Sequence, residues 1–266
     1  SGHTVIETEH LEYYKQQIVE PIEKRGIGGD YWIWNYPDYS KSYAVVADVS
    51  RGDGEDYSGF QVYDVETMEQ CAEFKGKVDT NLYGNMLVTV ATEYNTALLV
   101  IDNKNIGWAT VQVCLDKGYP NLYYSYKHDP YLDVSIHLRK GYDMRNKEDM
   151  VAGFSSNTII RPVMISKLEM ASRERTLSIK SSRLWNELTV FMWINGKAQA
   201  QKGYNDDLVI CVCTFLFIRD TALRLRTIGI ELNKQAISHV HRTVYKAKQN
   251  SHPNWEQNVG NRKENL

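Results

Sequence analysis

Apolar and polar positions along this chain fall first into strand-type patterns and then into helix-type ones. Residues 43–48 read YAVVAD, an apolar run continuous enough for a strand buried on both faces. Residues 59–64 and 70–74 alternate as half-buried strands do, so 43–74 predict a three-stranded antiparallel meander. Between the first two strands lies SRGDGEDYS, where Gly52 and Gly54 permit the positive φ of a tight turn. Residues 79–94 place Leu82, Met86, Leu87 and Val90 at helical spacing. A short β-rich run follows at 97–101, then a helix over 107–117 and a further strand at 122–125. Residues 127–153 hold no long period and predict an extended hairpin or a mobile loop. Helices are expected over 157–174, 181–190 and 204–223, with a continuation of the last toward residue 248 left open.

The order βββαβαβα, with its first three strands antiparallel, is the RNase H-like layout. It predicts an α/β fold: a mixed five-stranded sheet, three antiparallel strands and then two parallel, flanked by helices. Residues 31–223 are expected to form that domain, with Trp32, Trp34 and Tyr36 packed under the sheet. Residues 1–30 read as a tag scar, Ser1-Gly2-His3, and a polar linker interrupted by Pro21, Gly26, Gly28 and Gly29. Residues 224–266 read as a C-terminal helix and a polar, basic tail without fixed structure.

Charge limits the functional classes. The 31 Lys and Arg against 33 Asp and Glu give a formal net charge of −2, so any grip on nucleic acid must come from local basic patches. The four cysteines fit no zinc spacing, because Cys211-x-Cys213 lies in an apolar helical run with no second pair nearby. No signal peptide and no apolar stretch of transmembrane length are evident, which predicts a cytosolic protein.

The candidate chemistry is carried by acids. Asp48 ends the first strand, Asp102 ends the run ALLVID, and Asp206–Asp207 open the apolar helix DDLVICVCTFLF. Strand-end carboxylates meeting a helix-borne carboxylate make an all-oxygen site for hard cations such as Mg²⁺, and such sites cut phosphodiesters by two-metal chemistry. Each acid also has a plainer local reading. Asp48 would cap its turn, Asp102 would N-cap the next helix as Asn103 or Asn105 would, and Asp206 or Asp207 would cap the last helix. Adjacent helical residues point about 100° apart, so one of that pair can face a metal while the other orients water or a base. Asp56 is a candidate outer acid or an Asx-turn former, since its loop lacks EF-hand spacing. Arg51, Lys104, Arg139 and Lys140 are candidate phosphate contacts, with solvated surface charge as the plain alternative. His128, His137, His239 and His241 are expected at the surface, because this chemistry needs no histidine base.

The strings VADVSRGDGEDYS, IDNKNIG and GYNDDLV, in that order, resemble the nuclease domain of the large terminase subunit of tailed bacteriophages. The resemblance runs from about Trp32 to Asp220. It implies an endonuclease that cuts concatemeric double-stranded viral DNA during packaging with two Mg²⁺ or Mn²⁺ ions. It implies a metal triad of Asp48, Asp102 and Asp206, with Asp207 supporting or sharing ligation. The family's second motif usually carries glutamate, so Asp102 sets its carboxylate back by roughly an ångström, the scale of a C–C bond. No G-x-x-x-x-G-K-[ST] phosphate loop is present, so the ATPase domain of the same full-length protein is an expected partner, as are portal and the small terminase subunit. A viral protein of the host cytoplasm, without membrane attachment, is implied. The rival readings are a resolvase- or transposase-like nuclease of the same fold and a non-catalytic DNA- or portal-docking module.

Overall fold

The computed structural model describes residues 3–51, 57–126, 150–220 and 222–223. In chain order its elements are β1 (His3–Thr4), α1 (Thr8–Lys15), β2 (Glu23–Arg25), β3 (Tyr31–Ile33), β4 (Tyr43–Asp48), β5 (Ser58–Asp64), β6 (Gln70–Gly76), α2 (Thr80–Glu93), β7 (Leu98–Ile101) and α3 (Gly107–Asp116). There follow β8 (Tyr124–Tyr126), β9 (Met150–Ala152), α4 (Ile160–Glu174), α5 (Ser182–Val190), β10 (Phe191–Ile194) and β11 (Lys197–Ala200). The last is α6, residues 207–220.

The meander forms where the apolar pattern puts it. β4, β5 and β6 pair antiparallel in turn, and β7 joins β4 in parallel from Ala44↔Leu98 to Ala47↔Ile101. A parallel neighbour needs a crossover, which α2 supplies. Asp79 starts that helix by accepting hydrogen bonds from the Asn81 and Leu82 N–H groups, both at 3.0 Å.

The sheet is wider than the expected five strands. Among the described residues it has six, in the order β2-β3-β6-β5-β4-β7. The aromatic stretch expected beneath the sheet enters it instead, Tyr31 pairing with Phe74 and Ile33 with Ala72. Trp32 lies 3.8 Å from the Arg183 guanidinium, Trp34 donates to the Val19 carbonyl, and Tyr36 is exposed. Residues ahead of position 31 carry structure too: β1 pairs with β10, and β2 extends the sheet beside β3. The expected strand at 122–125 meets β7 only at Leu99↔Leu122 and then pairs with β9 as β8. β7 is short, and Phe154 takes over its open side by donating to the Ile101 carbonyl. The rest of the 127–153 segment, residues 127–149, lies outside the described residues.

Alternation along the strands sorts two faces. Val45, Ala47, Phe60, Val62, Leu99 and Ile101 share a core with Tyr83, Leu87 and Val90 of α2 and Val111 of α3. The opposite face takes α6, where Phe215 stacks on Tyr63 with ring centroids 4.5 Å apart. α6 is apolar all round and correspondingly buried, with Leu208, Val209, Val212 and Phe215 fully enclosed.

The same face carries a buried polar cluster that seats α5. Glu73 is fully buried and accepts from Gln61 Nε2 at 2.8 Å, Ser181 Oγ at 2.7 Å and Arg183 Nε at 2.8 Å. Ser181 in turn caps α5 by accepting from the Arg183 and Leu184 N–H groups. Glu73→Ala strands these donors in the interior and should cost about 3 kcal/mol. Urea denaturation checks it, and a loss no larger than that of an exposed substitution would refute the role given to Glu73.

Candidate active site

Parallel pairing of β4 with β7 brings the first two acids together. The Asp102 N–H donates to the Ala47 carbonyl at 3.1 Å, so the register pairing Ala47 with Ile101 carries on to Asp48 beside Asp102. Alternation puts both carboxyls on the face that α6 covers. Gly59 of β5 stands opposite Asp48, and Lys75 of β6 stands opposite Gly59. The first turn of α6 lies over this row. A Cβ on Gly59 would come within 3.1 Å of Leu208 Cδ2 and 3.8 Å of Asp207 Cβ, so a bare glycine lets the helix start against the sheet.

The helix start overturns the capping readings of Asp206 and Asp207. The Ile210 N–H donates to the Asp206 carbonyl, which makes Asp206 the N-cap residue. The N–H groups its carboxylate would ordinarily take, those of Leu208 and Val209, donate instead to Glu187 Oε2 at 2.9 and 3.2 Å. Asp206 Oδ2 accepts from the Ala200 N–H at 3.3 Å and lies 3.5 Å from the Arg161 guanidinium. Asp207 Oδ2 accepts from Asn205 Nδ2 at 3.2 Å.

Asp102 does not cap α3, whose N-cap is Ile106. Its carboxylate accepts from the Lys104 N–H at 2.9 Å and the Ser156 hydroxyl at 2.8 Å. The loop closes tightly on it: a Cβ on Gly107 would fall 1.9 Å from the Asp102 carbonyl oxygen. Asn103 is turned aside, donating to the Ala152 carbonyl.

All four acids line one cleft of about 460 Å³, with Arg51, Tyr57, Lys104, Ser156 and Arg161 on its walls. The Asp48 carboxyl is pushed up to about 8, first by loss of water and then by Asp207 and Asp102, against the pull of the Val49 N–H. The donor set is all oxygen and excessively negative, which suits a hard divalent cation. It is not a closed cage: among the described residues no three His, Cys, Asp or Glu side chains are gathered closely enough to hold an ion as they stand. Asp102 and Asp206 are committed in part to the protein partners just named.

Of the basic residues singled out from sequence, Arg51 and Lys104 stand on the cleft wall. Arg139, Lys140 and Asp56 lie outside the described residues. Ser156, Arg161 and Glu187 had not been singled out. Each reaches the site from a distant segment through a tertiary contact, for which spacing gives no signal. All four cysteines are buried and unbridged.

Solved nuclease structures share this fold. The large terminase nuclease of the thermophilic phage G20c with bound magnesium matches with a TM-score of 0.58 at 17% identity, covering 80% of this chain and 96% of that one. The chain has the large terminase nuclease fold. The G20c nuclease with bound cobalt gives 0.56 at 15% identity, covering 78% and 95%. The large terminase nuclease domain of Thermus phage P74-26 gives 0.50 at 15%, covering 78% and 92%. By sequence the chain matches no protein-family model and no curated protein. The terminase nuclease fold thus persists here at an identity where the likeness is one of architecture.

The raised Asp48 carboxyl makes the cleft a stability cost. Folding favours its protonated form, so its contribution is full only below the unfolded value near 4 and is lost as pH rises toward about 8. Asp48→Asn is neutral throughout. At pH 7 without metal it should gain about 1 kcal/mol after screening by cleft water, roughly 2–4 °C in Tm. Thermal melts in EDTA at pH 7 and pH 4 test this; a mutant less stable than wild type at pH 7 would contradict the repulsion.

Proposed function

We propose that this chain is a metal-dependent endonuclease cutting double-stranded DNA during viral genome packaging. The observation that carries this reading is the convergence of Asp48, Asp102, Asp206 and Asp207 on one cleft. The terminase nuclease fold supports it, as does the magnesium and cobalt bound by the G20c nuclease.

In this reading Asp48, Asp207 and Asp102 hold two Mg²⁺ or Mn²⁺ ions, and Asp206 is the supporting acid. This reverses the roles that the sequence resemblance implies for the adjacent pair. Asp207 acts most strongly of the three other acids on the Asp48 carboxyl, and Asp206 most weakly. The ions, when bound, would lower the pKa of an attacking water and stabilise the leaving 3′ oxygen. Ser156 and the Lys104 N–H fix the direction of the shortened Asp102. Arg51, Lys104 and Arg161 would meet the phosphates flanking the cut, and Arg139 and Lys140 would extend that contact. Such contacts position a duplex without reading its sequence.

Contacts to phosphate would make DNA binding salt-sensitive, and a formal charge of −2 would keep binding by the isolated chain weak. The ATPase domain of the same full-length protein, portal and the small terminase subunit are the proposed partners, and the host cytoplasm the proposed location. Among the described residues no helix is long and apolar enough to cross a membrane.

Supercoiled plasmid incubated with the protein in Mn²⁺, Mg²⁺ or EDTA tests the reading. Metal-dependent linear and smeared products are expected from wild type. Asp48→Ala and Asp207→Ala should lose about a thousandfold in rate, and Asp206→Ala about tenfold. Folded wild type that cuts with neither metal would favour the docking module, and preference for branched DNA would favour the resolvase.

A further inference from the structure

Lys75 and Glu187 form an ion pair that the proposed reaction does not use. Glu187, on α5, is only 5% exposed. One carboxylate oxygen takes the Lys75 ammonium, and the other takes the Leu208 and Val209 N–H groups that open α6. Lys75 belongs to the row that runs from Asp48 through Gly59, and its ammonium lies 5.3 Å from the Tyr57 ring on the cleft wall. The pair therefore ties the first turn of α6 to the strand row beneath the acids.

Simple capping does not require this arrangement. Asp206 already occupies the N-cap position with the preferred side-chain chemistry. Were it to accept the Leu208 and Val209 N–H groups, its carboxylate would turn back onto the helix and leave the cleft. Glu187 takes those donors in its place, although another acid beside Asp207 adds to the local repulsion.

We infer that Glu187, held by Lys75, is a positioning residue that fixes the direction of Asp206 and Asp207 and so sets the site's affinity for divalent metal. The inference rests on the reading of the cleft as a metal site. Outer partners of ligating side chains are worth 10–100-fold in metal affinity in general.

Isothermal titration with Mn²⁺, alongside amide exchange of residues 205–212, tests it on wild type, E187A, E187Q and V90A. Val90 packs on α2 against the other face of the sheet and serves as a control for lost stability. E187A should bind Mn²⁺ about tenfold more weakly or worse and expose the Leu208 and Val209 amides to exchange. E187Q, whose amide oxygen still accepts both N–H groups, should recover to within roughly threefold of wild type. V90A should bind as wild type does. E187A with wild-type affinity, or V90A weakened as much as E187A, overturns the positioning while leaving the metal site standing. Wild type that binds no Mn²⁺ overturns both. If E187A does not fold, K75M, which keeps the cap and removes its partner, replaces it. A weakening of about fivefold is then expected, and unchanged binding overturns the inference.

Discussion

Carboxylates that share a cleft partly shielded from water raise one another's pKa, and their repulsion works against the packing of the elements that carry them. Asp207 and Asp102 do this to Asp48 here, after the larger effect of lost water, and the surrounding structure answers the acids at several points. The Val49 N–H satisfies Asp48, Ser156 and the Lys104 N–H satisfy Asp102, and the Ala200 N–H with Arg161 engages Asp206. The acidic charge gathers where β4 and β7 meet the start of α6.

Holding that charge in place is the work of apolar packing on both sides of the sheet. α6 is enclosed from Leu208 to Leu216 and stacks Phe215 on Tyr63, so its first turn cannot back away from the strands without exposing a long apolar surface. Gly59 lets it approach closely, and Glu73 anchors the neighbouring α5 through Ser181 and Arg183. α5 then delivers Glu187 to the helix start. The core thus supplies the free energy that the acids consume, as expected where function runs against local stability.

Much of this was legible in the sequence where local pattern decides. YAVVAD predicted β4 to its ends, and Asp79, Leu87 and Val90 marked α2, because burial on a sheet face imposes its period directly, although Leu82 of the same pattern is exposed. The acids were legible as strand-end and helix-start residues, since those positions follow from the elements. The aromatic stretch at 31–36 falls in the sheet rather than under it because a short strand and a packed loop share one apolar pattern; the side of β6 that β5 leaves open decides between them. The β10–β11 hairpin carries a recognised signal in Asn195-Gly196, both at positive φ. The surrounding FMWI and KAQA are too short to announce it by periodicity alone.

The adjacent pair Asp206–Asp207 shows where local reasoning stops. An acid at a helix N-cap is explained completely by the Leu208 and Val209 N–H groups, and nothing within ten residues argues otherwise. Glu187, some twenty positions upstream, removes that explanation by taking both donors itself. The same substitution of one partner for another occurs at Asp102, where Ser156 and Lys104 take the carboxylate that a helix cap would have claimed. At Asp206 a residue of ordinary local meaning becomes available for chemistry because tertiary structure has satisfied its usual partners by other means, whereas at Asp102 the carboxylate is itself held in the cleft by Ser156 and the Lys104 N–H. The available charge, rather than the presence of acids at helix and strand ends, is what distinguishes this cleft from a set of turn caps.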